Sequence, residues 1–422
     1  MNKIIFLLPL LLLPLASYGA GPILVDTQGT GQAVLWQDGV VKYNLESGEN
    51  GRLGTLSNEE AAKLVRELFS DWQVTIDGIE TTSIRFVEGT PLGSIDSTNL
   101  DDHFTYCPPS KSCSGETPPF ILGSARTGVS PIIFDNDGSL TDAVQGKGAS
   151  LSILGFAGPR VVERVNGVLV ITESQAILNG KFINGTNSSS DPEVTLNEFK
   201  GAIFHELGHF IGLDHTQVNR DSVVKYLQGD KSEKEAIPTM LPLLIDGEAQ
   251  LSPHFDDKVA VSLLYPSSSF ESSFCRIEGK IFQSNGVTEL QGVNVVVSNQ
   301  SNPLVNSTSF VSGSLYAGSS SGCSAEKGNF ILSGLTPGET YKLKIEQISQ
   351  AFTGGSSIEP CDPPQTGFVA ASVPGTFSCP SGGTVIATGT EAISDIVTSK
   401  KSSSQTTADA QAGSGGCSLL PH

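Results

Sequence analysis

The sequence predicts an α+β domain followed by an all-β sandwich, and three observations lead there. Upstream of Pro266, strand-like runs are interspersed with stretches whose apolar residues recur at helical spacing. Downstream, residues 275 to 398 carry short alternating runs such as VNVVVSN, NFILSGL and YKLKIEQ, separated by Gly, Pro, Asn and Ser turns, with no helical pattern. Between the two lies a Ser-rich joint, PSSSFESS. A chain of 422 residues has room for two or three domains at about 150 residues each. The divisions fall at 1–20 (a leader), 21–268 (the α+β domain), 273–398 (the sandwich) and 399–422 (a tail).

The leader, MNKIIFLLPLLLLPLASYGA, has one Lys, an apolar run from Ile4 to Leu15, and small residues at Ser17, Gly19 and Ala20, which is the layout of a cleaved secretory signal. Pro9 and Pro14 interrupt the run, and it falls short of the ~20 residues that span a bilayer. From Leu35 to Phe86 the order is strand, helix, strand: VLWQDGVVKYNL, then LSNEEAAKLVRELFSDWQ with Ala61, Leu64, Val65, Leu68 and Trp72 on one face, then TSIRFVEG. Ser57 and Glu60 have the spacing of a capping box. A loop-rich stretch from Gly89 to Ser130 precedes two β-like runs, PIIFDNDGS and GVLVITES. In TLNEFKGAIFHELGHFIG a second capping box, Thr195 and Glu198, precedes an expected buried stripe of Leu196, Phe199, Ile203, Leu207 and Phe210. Gly212 suits the left-handed position that stops a helix. A third helix is expected at FDDKVAVSLLYP, ended by Pro266. The tail is small and polar, and its composition does not support a core.

Composition narrows the function classes. A formal net charge of −19 repels nucleic acid and anionic lipid, so neither is an expected partner, and no later stretch is apolar enough to span a membrane. Seven cysteines in an exported chain suggest disulfides. Cys107 and Cys113 could close a small loop; the pairing among Cys275, Cys323, Cys361 and Cys379 stays open, and Cys417 is left over.

The chemistry gathers in HELGHFIGLDH, which holds three of the chain's six histidines. Residues four apart share a helix face, so His205 and His209 can address one ion, with Glu206 beside them. A reversal at Gly212 would bring His215 round as a third nitrogen ligand, leaving zinc's fourth position for water, as catalytic rather than structural sites do. Glu206 is then the general base for that water. The bland alternative is a polar patch on an ordinary helix, since a bare H-E-x-x-H occurs in many unrelated helices. A structural zinc usually has four protein ligands, often Cys, and no Cys is near in sequence.

H-E-x-x-H-x-x-G-x-x-H resembles the signature of the metzincin metallopeptidases, and the surroundings are most similar to the matrixin branch. Met240 in IPTMLPLL resembles the metzincin Met-turn, and Met240, Leu241 and Pro242 the Met-x-Pro segment of matrixins. Leu154 to Pro159, LGFAGP, resembles the strand that pairs with an extended substrate. The resemblance implies a twisted mixed sheet with three main helices, one catalytic zinc on His205, His209 and His215, Glu206 as the catalytic residue, and protein or peptide substrates. Phe156 stands where matrixins commonly place a structural-zinc histidine, and Leu244 where a Tyr often follows the Met-turn. The second domain resembles carboxypeptidase-regulatory-like or transthyretin-like sandwiches appended to secreted bacterial enzymes. GSGGCSLL resembles a bacterial C-terminal sorting motif, which implies attachment to the cell surface through the C-terminal region. Asp135, Asp137 and Asp142 offer a calcium site, with simple turn formation as the alternative. Asp214 could orient a ligand or serve the turn, and His103 and His254 lack partners at ligand spacing. The expectation is a secreted or cell-surface zinc endopeptidase. Its rivals are an adhesion protein on a peptidase scaffold and a zinc amidase acting on cell-wall peptides.

Overall fold

A computed structural model describes residues 21–26, 32–48, 51–104, 121–122, 127–188, 193–216, 218–313, 327–348, 371–390 and 416–419. The helices are α1 (Asn58–Asp71), α2 (Leu100–His103), α3 (Ser139–Gln145), α4 (Leu196–Phe210), α5 (Arg220–Leu227), α6 (Phe255–Leu264) and α7 (Phe270–Ser273). The strands of the first part are β1 (Leu35–Trp36), β2 (Val40–Leu45), β3 (Thr75–Ile76), β4 (Ile79–Glu80), β5 (Arg85–Glu88), β6 (Ile121–Leu122), β7 (Pro131–Asp135), β8 (Ile153–Val165), β9 (Val168–Asn179) and β10 (Leu243–Leu244). Then come β11 (Cys275–Phe282), β12 (Asn294–Asn299), β13 (Ser307–Val311), β14 (Asn329–Leu335), β15 (Tyr341–Glu346), β16 (Ala371–Ser372), β17 (Thr384–Thr390) and β18 (Gly416–Leu419). The molecule is α+β, with several sheets and few helices.

Both expected capping boxes form. Ser57 Oγ accepts the Glu60 N–H while Glu60 accepts the Ser57 N–H, and Thr195 and Glu198 repeat the exchange at α4. Helix α1 buries Ala61, Leu64, Val65 and Leu68 as expected, and adds Phe69, which meets Phe210 of α4 edge-on at 5.7 Å. Trp72 caps the C-terminus of α1, stacks on Phe204 and donates from Nε1 to the Phe204 carbonyl at 3.3 Å. Helix α4 is enclosed on nearly every side, so Phe204 is buried along with Phe199, Ile203, Leu207 and Phe210. Leu196 departs from the expected stripe: it opens the first turn, beyond the packed part of the helix, and is 43% exposed.

The main sheet runs β10-β18-β8-β9-β7-β2-β5, with β1 also on β9 and β6 on β8. Strands β7, β2 and β5 pair in parallel, whereas β8 and β9 form an antiparallel hairpin. Asn166 and Gly167 make its two-residue turn, both at positive φ (51° and 87°), the conformation that suits a right-twisted hairpin. An Asn-Gly pair between two apolar runs is itself a sequence signal for such a hairpin. Helix α5, between His215 and Met240, has no counterpart among the expected elements.

The second part holds two sheets, β14-β11-β17 and β13-β12-β15-β16, enclosing one apolar cluster that includes Ile277, Val295, Phe310, Leu332, Leu343 and Ile345. A disulfide joins Cys275, at the start of β11, to Cys379. Cys107, Cys113, Cys323 and Cys361 lie outside the described residues. Polar contacts fasten the two parts together. Asp256 of α6 accepts from Thr216 at 2.5 Å, from Thr308 at 2.7 Å and from the Ser309 N–H at 2.9 Å, while Asn219 donates to Ser307 at 2.8 Å.

One expectation for the tail changes. Within 399–422, residues Gly416–Leu419 form β18 inside the main sheet, because edge pairing satisfies the backbone of a segment too polar to fold by burial. Among the described residues, no helix is long and apolar enough to cross a membrane.

Candidate metal centre

Helix α4 ends in a turn that its own sequence dictates. Gly212 has φ of 103°, a region that disfavours any side chain. The Gly212 N–H bonds to the His209 carbonyl at 3.0 Å and the Leu213 N–H to the Gly208 carbonyl at 2.9 Å, the paired bonds of a Schellman motif. The N-terminal segment straps this turn from outside: Ile23 N–H donates to the Gly212 carbonyl, and the Gly21 carbonyl accepts from Asp214 N–H, each at 2.8 Å.

The reversal brings the three histidines together. His209 Nε2 lies 3.0 Å from His205 Nε2 and 3.0 Å from His215 Nε2. His205 Nδ1 lies 2.8 Å from the Thr239 carbonyl oxygen and His209 Nδ1 2.8 Å from that of Leu213. A carbonyl only accepts, so each Nδ1 carries the proton and each Nε2 presents a lone pair. Burial and then the neighbouring His209 lower His205 to about 3, and burial lowers His209 to about 4. Burial, followed by His209 and His205, holds His215 well below its ordinary value. Neutral imidazoles are the form that ligates a metal.

The lone pairs of His205 and His209, facing each other at 3.0 Å, repel unless a cation lies between them. The separation is close to the roughly 3.3 Å edge of a tetrahedron with 2.0–2.1 Å metal–nitrogen bonds. His205, His209 and His215 could therefore hold a metal ion, and they are the one such group among the described residues.

Glu206 is fully buried next to His205. Strand β8 passes close over it: a Cβ at Gly155 would lie 3.2 Å from Glu206 Cγ. Met240 is buried beneath the helix, and a Cβ at Gly208 would overlap its Sδ. The segment carrying Met240 is pinned from α6. Asp257 accepts the N–H groups of Thr239 at 2.9 Å, Met240 at 3.1 Å and His254 at 2.8 Å. Thr239 in turn holds His205, so α6 orients a metal-site ring through two links.

The expected histidines, Glu206 and Met240 are thus brought to one place. Asp135, Asp137 and Asp142 are not. Asp135 accepts from the Gly138 and Thr141 N–H groups, Asp137 from Ser139 and Asp142 from Ser150, so these carboxylates serve the turn and cap around α3. Asp214 also serves its turn, accepting the His215 N–H at 2.7 Å. His254 caps α6 and reaches the Leu304 carbonyl at 2.9 Å. Phe156 is buried and meets Phe104 edge-on at 5.7 Å.

Sequence reasoning missed Thr239, Leu213, Asp257 and Gly155. Gly208 offered a signal, as a glycine inside a helical pattern. No family model matches the chain, and no curated protein matches it.

Proposed function

We propose that the protein is an exported zinc endopeptidase with a metzincin-like, matrixin-type catalytic domain. The carrying observation is the convergence of three imidazole Nε2 atoms in a helix-and-turn segment whose Glu206 is buried. Three neutral imidazoles with no cysteine in the group suit zinc with one position left open. A zinc ion held there would supply Lewis acidity toward a carbonyl and lower the pKa of water at its fourth position from 15.7 to about 7. Glu206 accepts a proton from the attacking water and returns it to the leaving amine. Strand β8 supplies backbone partners for an extended peptide alongside Glu206, and β10 forms the facing wall. The secretory leader and the appended sandwich fit work on protein substrates outside the cell, in solution or at a surface.

Glu206→Gln tests the assignment of the base. The variant is expected to keep its metal and lose about 10²–10⁴-fold in peptide hydrolysis. Casein or gelatin cleavage at the parent's rate would overturn it. A peptide library digested with and without a chelator separates the rivals: no cleavage under any condition favours a binding protein, and cleavage confined to cell-wall peptides favours an amidase.

A further inference from the structure

Strand β18 lies between β8 and β10 in the main sheet. It runs antiparallel to β8, with Gly416 opposite Phe156, Cys417 opposite Gly155 and Ser418 opposite Ile153. It runs parallel to β10, with Ser418 opposite Leu243 and Leu419 opposite Leu244. The pairing changes hands at Ser418, which has a partner on both sides. Gly155 locates this strand relative to the chemistry, because it is both the partner of Cys417 and the residue whose Cβ would touch Glu206. The chain's own backbone therefore passes the metal centre at the level of Glu206.

Resting on the peptidase reading above, we propose that Gly416–Leu419 is an intramolecular occupant of the peptide slot, so that the chain occludes its own site. Facing strand edges are a template for any extended chain, since the main-chain donors and acceptors they offer carry no sequence requirement. A four-residue strand in that slot is a weak ligand when free. Because Gly416–Leu419 belongs to the same chain, its binding is intramolecular and does not depend on protein concentration. It thereby competes with peptides that arrive from solution. Occlusion of this kind lowers the fraction of open sites, so it raises the apparent KM and leaves kcat untouched.

The test uses the full chain with Ser418→Pro, which removes the backbone N–H and adds a ring at the doubly paired position, and Ser418→Ala, which keeps the N–H. In Ser418→Pro, the amides of Ile153–Phe156 and Leu243–Leu244 are expected to exchange hydrogen faster than in the parent, and KM to fall about tenfold or more at constant kcat. Ser418→Ala should match the parent in both. A fluorescent peptide, AGSGGCSLL, should bind Ser418→Pro about tenfold or more tighter than the parent. Equal exchange and equal peptide affinity in parent and Ser418→Pro would overturn the occlusion, even if all three proteins hydrolyse casein. If exchange and peptide affinity respond while no variant hydrolyses anything, the occupied slot stands and the peptidase reading falls.

Discussion

At Gly208 the backbone of α4 runs so close to its support that a methyl group would overlap Met240 Sδ and lie 2.9 Å from Trp72 Cζ2. Gly208 stands one residue before His209, so the tight fit there limits how deep the histidine-bearing helix sits on the core. Gly208→Ala is expected to destabilise the fold by about 1–3 kcal/mol through overpacking, read as a lower urea midpoint. An unchanged midpoint would mean that Met240 moves aside freely. Legibility at this scale follows distance along the chain. His205 and His209 can be read from sequence because four-residue spacing defines a helix face, and His215 because the glycine between them dictates the reversal. Thr239 and Asp257 cannot, because a carbonyl has no sequence signature and each partner is brought to the site from a distant segment.

Among elements, α6 acts on the site through Asp257. Asp257 holds three buried N–H groups, two of them in the segment that carries Thr239 and Met240. Asp257→Ala would strand those donors at about 1–3 kcal/mol each. It would also release the carbonyl that orients His205, and metal affinity is expected to fall by about 10–100-fold. Competition with a graded chelator measures it, and an affinity equal to the parent's would show that Thr239 is held some other way. Helix starts at Ser57 and Thr195 are legible because a cap acts over three residues, whereas the exposure of Leu196 depends on where neighbouring elements stop. Strand β18 is illegible for a different reason: its order comes from pairing with β8 and β10 and owes nothing to a hydrophobic pattern of its own.

At the scale of the whole molecule, the α+β part and the two-sheet part share a polar seam. Asp256 links Thr216, next to the third histidine, to Thr308 and Ser309 of β13. The second part therefore buttresses the loop that delivers His215, and the seam also takes in His254, whose Nε2 reaches the Leu304 carbonyl, and Lys344, which donates to Asp221. The seam is not legible in the sequence, because it depends on how the α+β part and the two-sheet part dock. The central claim is that three imidazoles close around one zinc ion with a corner left to solvent, and X-ray absorption spectroscopy of the purified, metal-quantified protein tests it most directly. The expected result is one zinc per chain, bound by three nitrogens at about 2.0–2.1 Å and one oxygen from water. A protein that retains no stoichiometric metal, or one whose ion has four protein ligands and no water, would contradict it.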